Sequence, residues 1–387
     1  MRDSTQATPF KNKVCAWTLA GALQLVIHSS LFAESFLESR YQYYQEDHHR
    51  IRVDSNYWLF NVDLKETLSL DGSFLYSAIS GASPSGLPQN LPDWTKSVSA
   101  FQPIKSMQDE RSAVSLGLNK QFENHALKLG YANSSESDYL SQTYSIQDTI
   151  SFNQKNTELV LGYSYSGDRV DDDHKVRKSK CSQDAIIGIN QVLTPDDLLS
   201  VNLTVGIRHG FLSDPYKYIL LKDYISAIDD FTYNTKVERR PSRKLEKLLF
   251  VQWTHYIRPL AASLETSYRF GHNDWGSHSN TTRLALYKKF QNNRLIVGPS
   301  FRYYRQTAAR FYKTSFADNP EYYSSDYRLS AEETFSSGLQ VRWFAVKDKL
   351  AFDAGYERYV SRGLDHQTPQ MAYPSANSVT IGLHYQL

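Results

Sequence analysis

The stretch LLSVNLTVGIR, residues 198–208, decides how the rest of the chain is read. Leu199, Val201, Leu203, Val205 and Ile207 alternate with Ser200, Asn202, Thr204, Gly206 and Arg208. Successive side chains of a strand point to opposite faces, so this is a strand with one apolar and one polar face. The same period recurs outward in both directions. Leu159, Leu161, Tyr163 and Tyr165 alternate with Glu158, Gly162, Ser164 and Ser166, and Leu264, Tyr268 and Phe270 with Ser263, Glu265, Ser267 and Arg269. Near the end, Leu350, Phe352, Ala354 and Tyr356 alternate with Ala351, Asp353, Gly355 and Glu357. No segment with a helical period competes with these.

The breaks in the pattern predict about sixteen strands, near 37–46, 50–61, 67–79, 111–121, 126–136, 139–152, 157–168, 178–191, 198–209, 244–257, 261–272, 277–290, 294–306, 327–343, 349–360 and 377–387. Every second connection is a short turn. The others include four long ones, around 80–110, 210–243, 307–326 and 361–376. An even strand count with short turns at one end and long loops at the other is the plan of an antiparallel up-and-down transmembrane β-barrel, with periplasmic turns and extracellular loops.

A soluble β-sandwich also alternates, but three features oppose it. Many strands reach about 11 residues, the length of a tilted bilayer span, beyond the usual globular mode of about 5–6. Their polar faces carry charges, which a sandwich core rejects and a polar lumen accepts. Aromatics gather at strand ends, as in Tyr41, Tyr43 and Tyr44, Tyr303 and Tyr304, and Tyr322 and Tyr323, where rings suit lipid headgroups. A mean hydropathy of -0.51 over 387 residues excludes a helical multi-span protein, and 27 Tyr, 19 Phe and 6 Trp argue against a disordered polymer.

Residues 1–33 read as a cleavable secretory signal: Arg2, Lys11 and Lys13 lead an apolar run from Val14 to Ile27, and Ala33 stands at the expected cut. The run is shorter than the roughly 20 residues of a spanning helix. The expected division is therefore a signal at 1–33 and a barrel at 34–387. Cleavage takes three basic residues and one acidic residue from totals of 43 and 41, leaving 40 of each. This balance disfavours nucleic acid as a partner. Of two cysteines only Cys181 then remains, so no internal disulfide is expected.

SGASP at 80–84, SQDAIIGINQVLTPDD at 182–197, GFLSDPYK at 210–217, SYRFGHNDWGSHS at 267–279, FRYYRQTAARFY at 301–312 and YYSSDYRLS at 322–330 together resemble a bacterial outer-membrane β-barrel family known only as a domain of unknown function. The resemblance implies an outer-membrane location in a Gram-negative cell and a barrel fold. It supplies no activity, substrate or catalytic residue. Val379, Ile381, Leu383, Tyr385 and Leu387 alternate to the last residue, which resembles the terminal strand read by the barrel-assembly machinery; the usual final residue there is Phe, and here it is Leu387.

The polar faces nominate a set of lumen-lining residues: Arg40, Arg52, Asp54, Glu158, Arg208, Glu265, Arg269, Arg302, Arg328, Asp353 and Glu357. Both signs occur, so no strong ion preference is expected. The basic stretch with Arg239, Arg240, Arg243 and Lys244 is a candidate for the phosphates of lipopolysaccharide, weighed equally against a solvated loop. His272, Asp274, Ser277 and His278 lie close in sequence, but the Asn-Asp-Trp-Gly turn reads as a hairpin tip rather than a hydrolase site. Asp171, Asp172, Asp173 and His174 sit among Arg169, Lys175, Arg177 and Lys178, which favours a balanced loop over a metal site. His48 and His49 read as exposed turn residues. SGASP and SDPYK are expected to shape loop starts, and loops of about 30 residues are long enough to fold in and plug the opening.

These readings define a monomeric barrel with no cofactor, acting as a pore or transporter-like conduit for a small solute. The alternatives are a sealed structural or partner-binding barrel with a periplasmic or surface partner, and, third, an outer-membrane hydrolase.

Overall fold

The computed structural model describes residues 35–87, 104–225, 230–317 and 320–387, with side chains except at 104–107, 222–225 and 230–233. The predicted signal at 1–33 lies outside them. Eighteen strands run in chain order: β1 (Phe36–Glu46), β2 (Ile51–Lys65), β3 (Leu68–Pro84), β4 (Ile104–Gln121), β5 (His125–Ser135), β6 (Tyr139–Phe152), β7 (Thr157–Asp171), β8 (Arg177–Thr194), β9 (Asp197–Gly210), β10 (Tyr218–Ile225), β11 (Asp230–Val237), β12 (Arg243–Ile257), β13 (Ala262–Asn273), β14 (His278–Phe290), β15 (Leu295–Gln306), β16 (Glu332–Val346), β17 (Leu350–Gly363) and β18 (Ser375–Gln386). All but β10 and β11 form a closed antiparallel barrel of sixteen staves, each paired with its neighbour in sequence except where β9 pairs with β12 and where β1 meets β18 to complete the ring.

The stave containing residues 198–208 shows why the sheet closes this way. Val201 and Leu203 of β9 are exposed on the outer surface, in phase with Ile187 and Ile189 of β8 and with Leu249 and Trp253 of β12. Asn202 and Thr204 turn inward by the same alternation. The outward set continues around the ring as large aliphatic and aromatic residues, including the cross-strand pairs Trp58–Phe74 and Trp343–Phe352, with ring centroids 5.4 Å and 5.9 Å apart. Such a surface is stable only against lipid. The inner face is Ser, Thr, Gly, Gln and paired charge; Ser55 and Ser77 hydrogen-bond across the strands at 2.9 Å, as do Ser73 and Ser115 at 2.7 Å.

The two ends differ as the sequence predicts. At one end the seven links 66–67, 122–124, 153–156, 195–196, 258–261, 291–294 and 347–349 are short, and the Leu387 amide bonds the Ser35 carbonyl. At the other, 85–103, 211–242, 307–331 and 364–374 are long. Sixteen predicted staves match sixteen observed. Three boundaries move by five residues or more: β3 runs on to Pro84, so SGASP belongs to a stave and not to a loop start, β4 begins at Ile104, and the first five residues of the stave predicted from 327 lie outside β16, with a 3-10 turn at Tyr327–Leu329. The short hairpin of β10 and β11, inside the loop 211–242, is absent from the sequence reading.

The tyrosine doublets also need correction. Neighbouring residues on a strand face opposite ways, so only one of each pair belongs to an outer girdle. Tyr41 and Tyr43 take the outward phase while Tyr44 packs inside against Ile51. Tyr323 is buried among the long loops, against Phe316.

Candidate functional site

The apolar clusters of the described residues all lie at the long-loop end. Ile219, Leu221, Phe316 and Tyr323 form one; Leu87 and Leu220 another; Trp275, Ala309 and Tyr312 a third; Ile51, with Tyr44, Val53, Ile79 and Tyr216, a fourth. The loop 211–242 leaves the wall between β9 and β12, yet Tyr216 packs on Ile51 of β2, the Tyr218 amide bonds the Ser85 carbonyl, and Lys217 Nζ donates to the Pro84 carbonyl of β3. β9 and β2 stand on opposite sides of the ring. The loop therefore crosses the mouth, and the loop 307–331 joins it through the Arg239–Tyr323 and Leu220–Phe316 backbone bonds. Gly86, with φ +92°, lets three segments meet: a Cβ there would stand 2.7 Å from the Tyr218 carbonyl oxygen and 3.1 Å from that of Ser325.

At the centre of this cap lie three acids and three bases. Arg328 pairs with both Asp214 and Asp326, Arg240 stands 2.6 Å from Glu238 and 2.6 Å from Asp326, and Lys217 sits over the Tyr327 ring at 5.7 Å. Glu238 also accepts the Asp214 amide and the Ser324 hydroxyl, each at 2.5 Å. Burial pushes the Glu238 carboxyl up to about 7, reinforced by Asp326 and Asp214 against the pull of Arg240. Burial acts on Asp326 in the same sense, but Arg328, Lys217 and Arg240 outweigh it and hold that carboxyl below the ordinary range. Lys217 is lowered by burial despite Asp326 opposite it. The geometry is that of a matched buried network, costly to break by removal of any one member.

The expected lumen residues divide. Phase with the outer apolar set places Arg40, Glu158, Arg208, Glu265, Arg269, Arg302, Asp353 and Glu357 on the inner face. Arg208 pairs with Asp184 at 2.8 Å, Asp353 with Arg342 at 2.6 Å, Glu158 accepts from Asn190 at 3.1 Å, and Arg40 pairs with Glu38. Arg269, Arg283 and Arg302 occupy three successive staves on that face, with Arg283 directly opposite Arg302. Glu265 lies 3.2 Å from Arg283; among the described residues Arg302 has no carboxylate in ion-pair reach.

Three residues do not line the lumen. Arg52 and Asp54 share the phase of exposed Trp58, so they face outward, bonded to each other at 2.7 Å beside Tyr41 and Tyr43. Near a strand end an outward ion pair meets headgroups and water, so charge alone does not mark the inner face. Arg328 belongs to the cap. The candidate lipopolysaccharide contacts divide too: Arg240 is consumed in the cap network, Lys244 turns inward to Glu246 at 3.3 Å and the Trp275 ring, and Arg239 and Arg243 are exposed.

The turn readings fare better. Asn273–Gly276 is the β13–β14 tip, and Ser277 Oγ donates to the Thr307 carbonyl at 2.9 Å. What the sequence does not reveal is that Trp275, 6% exposed, roots this tip in the cap and donates to the Arg243 carbonyl. Asp171 pairs with Arg177 at 2.7 Å and Asp172 with Lys178 at 3.3 Å, the balanced loop expected. His48 and His49 sit in a tight turn with positive φ. SDPYK is not merely turn chemistry: its Asp214 and Lys217 are core members of the cap.

A closed sixteen-stave antiparallel ring with an apolar outer band and a capped polar interior defines the class of outer-membrane β-barrels. The chain belongs to the family described as "Protein of unknown function (DUF3570)", which it matches over residues 13–182 and 171–387. No curated protein matches it by sequence. Among solved structures it is similar to CdiB from Acinetobacter baumannii, at 7% identity and a TM-score of 0.52, covering 91% of this chain and 60% of that one. A bacterial polysaccharide outer membrane secretin is 9% identical, with a TM-score of 0.48 and coverage of 92% and 98%. The siderophore receptor PirA from Pseudomonas aeruginosa is 10% identical, with a TM-score of 0.42; 90% of this chain spans 62% of that receptor. Identities this low show the fold alone.

Proposed function

We propose that the protein is an outer-membrane conduit for a small polar solute, closed at its outer mouth by the cap and opened when the cap is displaced. The observation that carries this reading is the contrast across the mouth: the cap holds its own apolar and ionic core, while the wall beneath presents hydroxyls and charges that water can solvate. The inner face of β13, β14 and β15 is where a solute with an acidic group would meet Arg269, Arg283 and Arg302. Transport, not catalysis, is the proposed role.

Conductance across a planar bilayer tests it. Gly210 and Ser242 are already joined by a 2.9 Å backbone bond, so a short turn can replace 211–242 without stretching the wall. The full chain should conduct little and the deletion steadily, with Arg302→Ala shifting the deletion's reversal potential toward cations. A persistent seal in both overturns the conduit and favours the sealed, partner-binding barrel, for which the complete charge matching of the cap is the supporting observation. Arg239 and Arg243 are proposed to meet lipopolysaccharide; neutralising both should reduce the lipopolysaccharide retained after mild detergent extraction, and equal retention would count against it.

A further inference from the structure

Where β4 meets the β5–β6 turn, three carboxylates come together. Asp109 of β4 faces Asp138 by continuation of the β4–β5 register, and Glu136 stands beside them. One oxygen from each lies within 4.8 Å of the others. Such clusters are common on surfaces; this one is enclosed. Asp109 is 7% and Asp138 1% exposed, and Asp109 Oδ2 and Asp138 Oδ1 are buried with no hydrogen-bond partner. The other Asp109 oxygen accepts the Glu110 amide at 2.9 Å, and the other Asp138 oxygen accepts the Tyr216 hydroxyl. One cation in ion-pair reach is Arg111, 3.6 Å from Glu136 and already hydrogen-bonded to Ser134 at 2.9 Å.

Two buried carboxylates, each with a partnerless oxygen, and a third carboxylate beside them repel one another strongly where water cannot screen them. An orphaned buried polar atom calls for an ion or water to complete it. The donors are all hard oxygens, with no imidazole or thiolate among them, which disfavours zinc and the softer transition metals. Oxygen ligands in a turn, able to adjust their spacing, suit calcium at about 2.3–2.6 Å better than magnesium, which demands near-ideal octahedral geometry and retains its waters.

We propose that Asp109, Glu136 and Asp138 bind a calcium ion at the outer end of the barrel. The site has a mechanical consequence, because Tyr216 reaches Asp138 from the loop that crosses the mouth. The same residue packs on Ile51 of β2. A cation that fixes the Asp138 carboxylate fixes the partner of Tyr216, so calcium latches the cap to the β5–β6 side of the ring.

Terbium is a calcium surrogate whose emission a nearby tyrosine sensitises, and Tyr216 supplies that ring. The refolded full chain, free of lipopolysaccharide, should give a saturable terbium signal that calcium displaces. Asp109→Asn and Asp138→Asn should each weaken it about tenfold or more. Asp196→Asn, at the short-turn end, should leave it unchanged. No saturable signal, or equal affinity in Asp109→Asn, overturns the site. A readout free of variants guards against misfolding: calcium added to the unaltered protein should slow amide exchange at Asp171, whose N–H bonds the Asp138 carbonyl, and at residues 214–217. Exchange unchanged by calcium at both places overturns the latch.

Discussion

The wall and the cap solve the problem of burying charge in opposite ways. On the wall, ions pair with the residue opposite or nearly so: Arg342 with Asp353 at 2.6 Å and Arg208 with Asp184 at 2.8 Å, their side chains 18–35% exposed. In the cap, the carboxylates of Glu238 and Asp326 have no exposure and share Arg240, which reaches Asp326 across 86 residues of chain, while Arg328 reaches Asp214 across 114. The wall's pairs stand beside backbone ladders that hold the fold with or without them. Among the described residues the cap's one strand ladder is that of β10 and β11, joined to its surroundings by single backbone bonds such as Arg239–Tyr323, so its side chains carry much of its position. The lesson is that the same residue types are dispensable in one region and structural in the other, according to what else fixes the backbone.

Asp326→Ala should open the widest gap between the two regions. It leaves the buried guanidinium groups of Arg240 and Arg328 each one carboxylate short, with Glu238 and Asp214 as their remaining acids, a loss of about 3 kcal/mol. Amide exchange in 211–225 and 307–331 should rise toward that of free loops, while the barrel keeps its heat-modifiable migration on a gel. Loss of that migration would show that the cap is needed for the ring. Gly86→Ala comes next: the new Cβ meets two carbonyl oxygens and a φ of +92°, a cost of about 1–3 kcal/mol, read as faster proteolysis of the cap with the wall intact.

Acidity should move the cap. The folded Glu238 carboxyl is raised to about 7 by burial, above its unfolded value near 4.3. The native state therefore holds the extra proton between these limits, and the contribution is full below about 4.3 and lost as pH rises through 7. Protection factors in 211–225, which divide out the intrinsic pH dependence of exchange, should be higher at pH 5 than at pH 8, and Glu238→Gln should flatten the difference; a profile that survives the substitution assigns it elsewhere. The smallest effect is Arg342→Ala, about 0–1 kcal/mol in barrel unfolding. A loss of several kcal/mol would erase the distinction between wall and cap.

The same distinction explains what was legible in the sequence. Stave positions follow from a period of two, a local signal repeated sixteen times, so LLSVNLTVGIR is sufficient to read its own stave. Orientation is readable where apolar residues serve as the reference: Trp58 stands in phase with Arg52 and Asp54 and marks them as outward, whereas charge alone points to the lumen. The cap was not readable. Asp214, Arg240 and Arg328 are brought together by a loop that crosses the mouth, and no spacing along the chain encodes a contact over 114 residues. Asp109 and Asp138 meet only once β4 and β5 are in register.

The seam between β1 and β18 carries a further consequence, for assembly. Phe36–Glu46 pairs with Ala376–Gln386 in unbroken register, joining the two ends of the described chain. Every other junction joins staves consecutive in the chain or, at β9 and β12, separated by the loop 211–242. Hairpin-by-hairpin growth is therefore local and entropically cheap up to the last stave. Until then the growing sheet has two open edges, each a template for pairing with another chain. One final register, eleven residues long on β1, removes both edges at once. A chain that fails at that step is not a slightly weaker barrel but a sticky sheet.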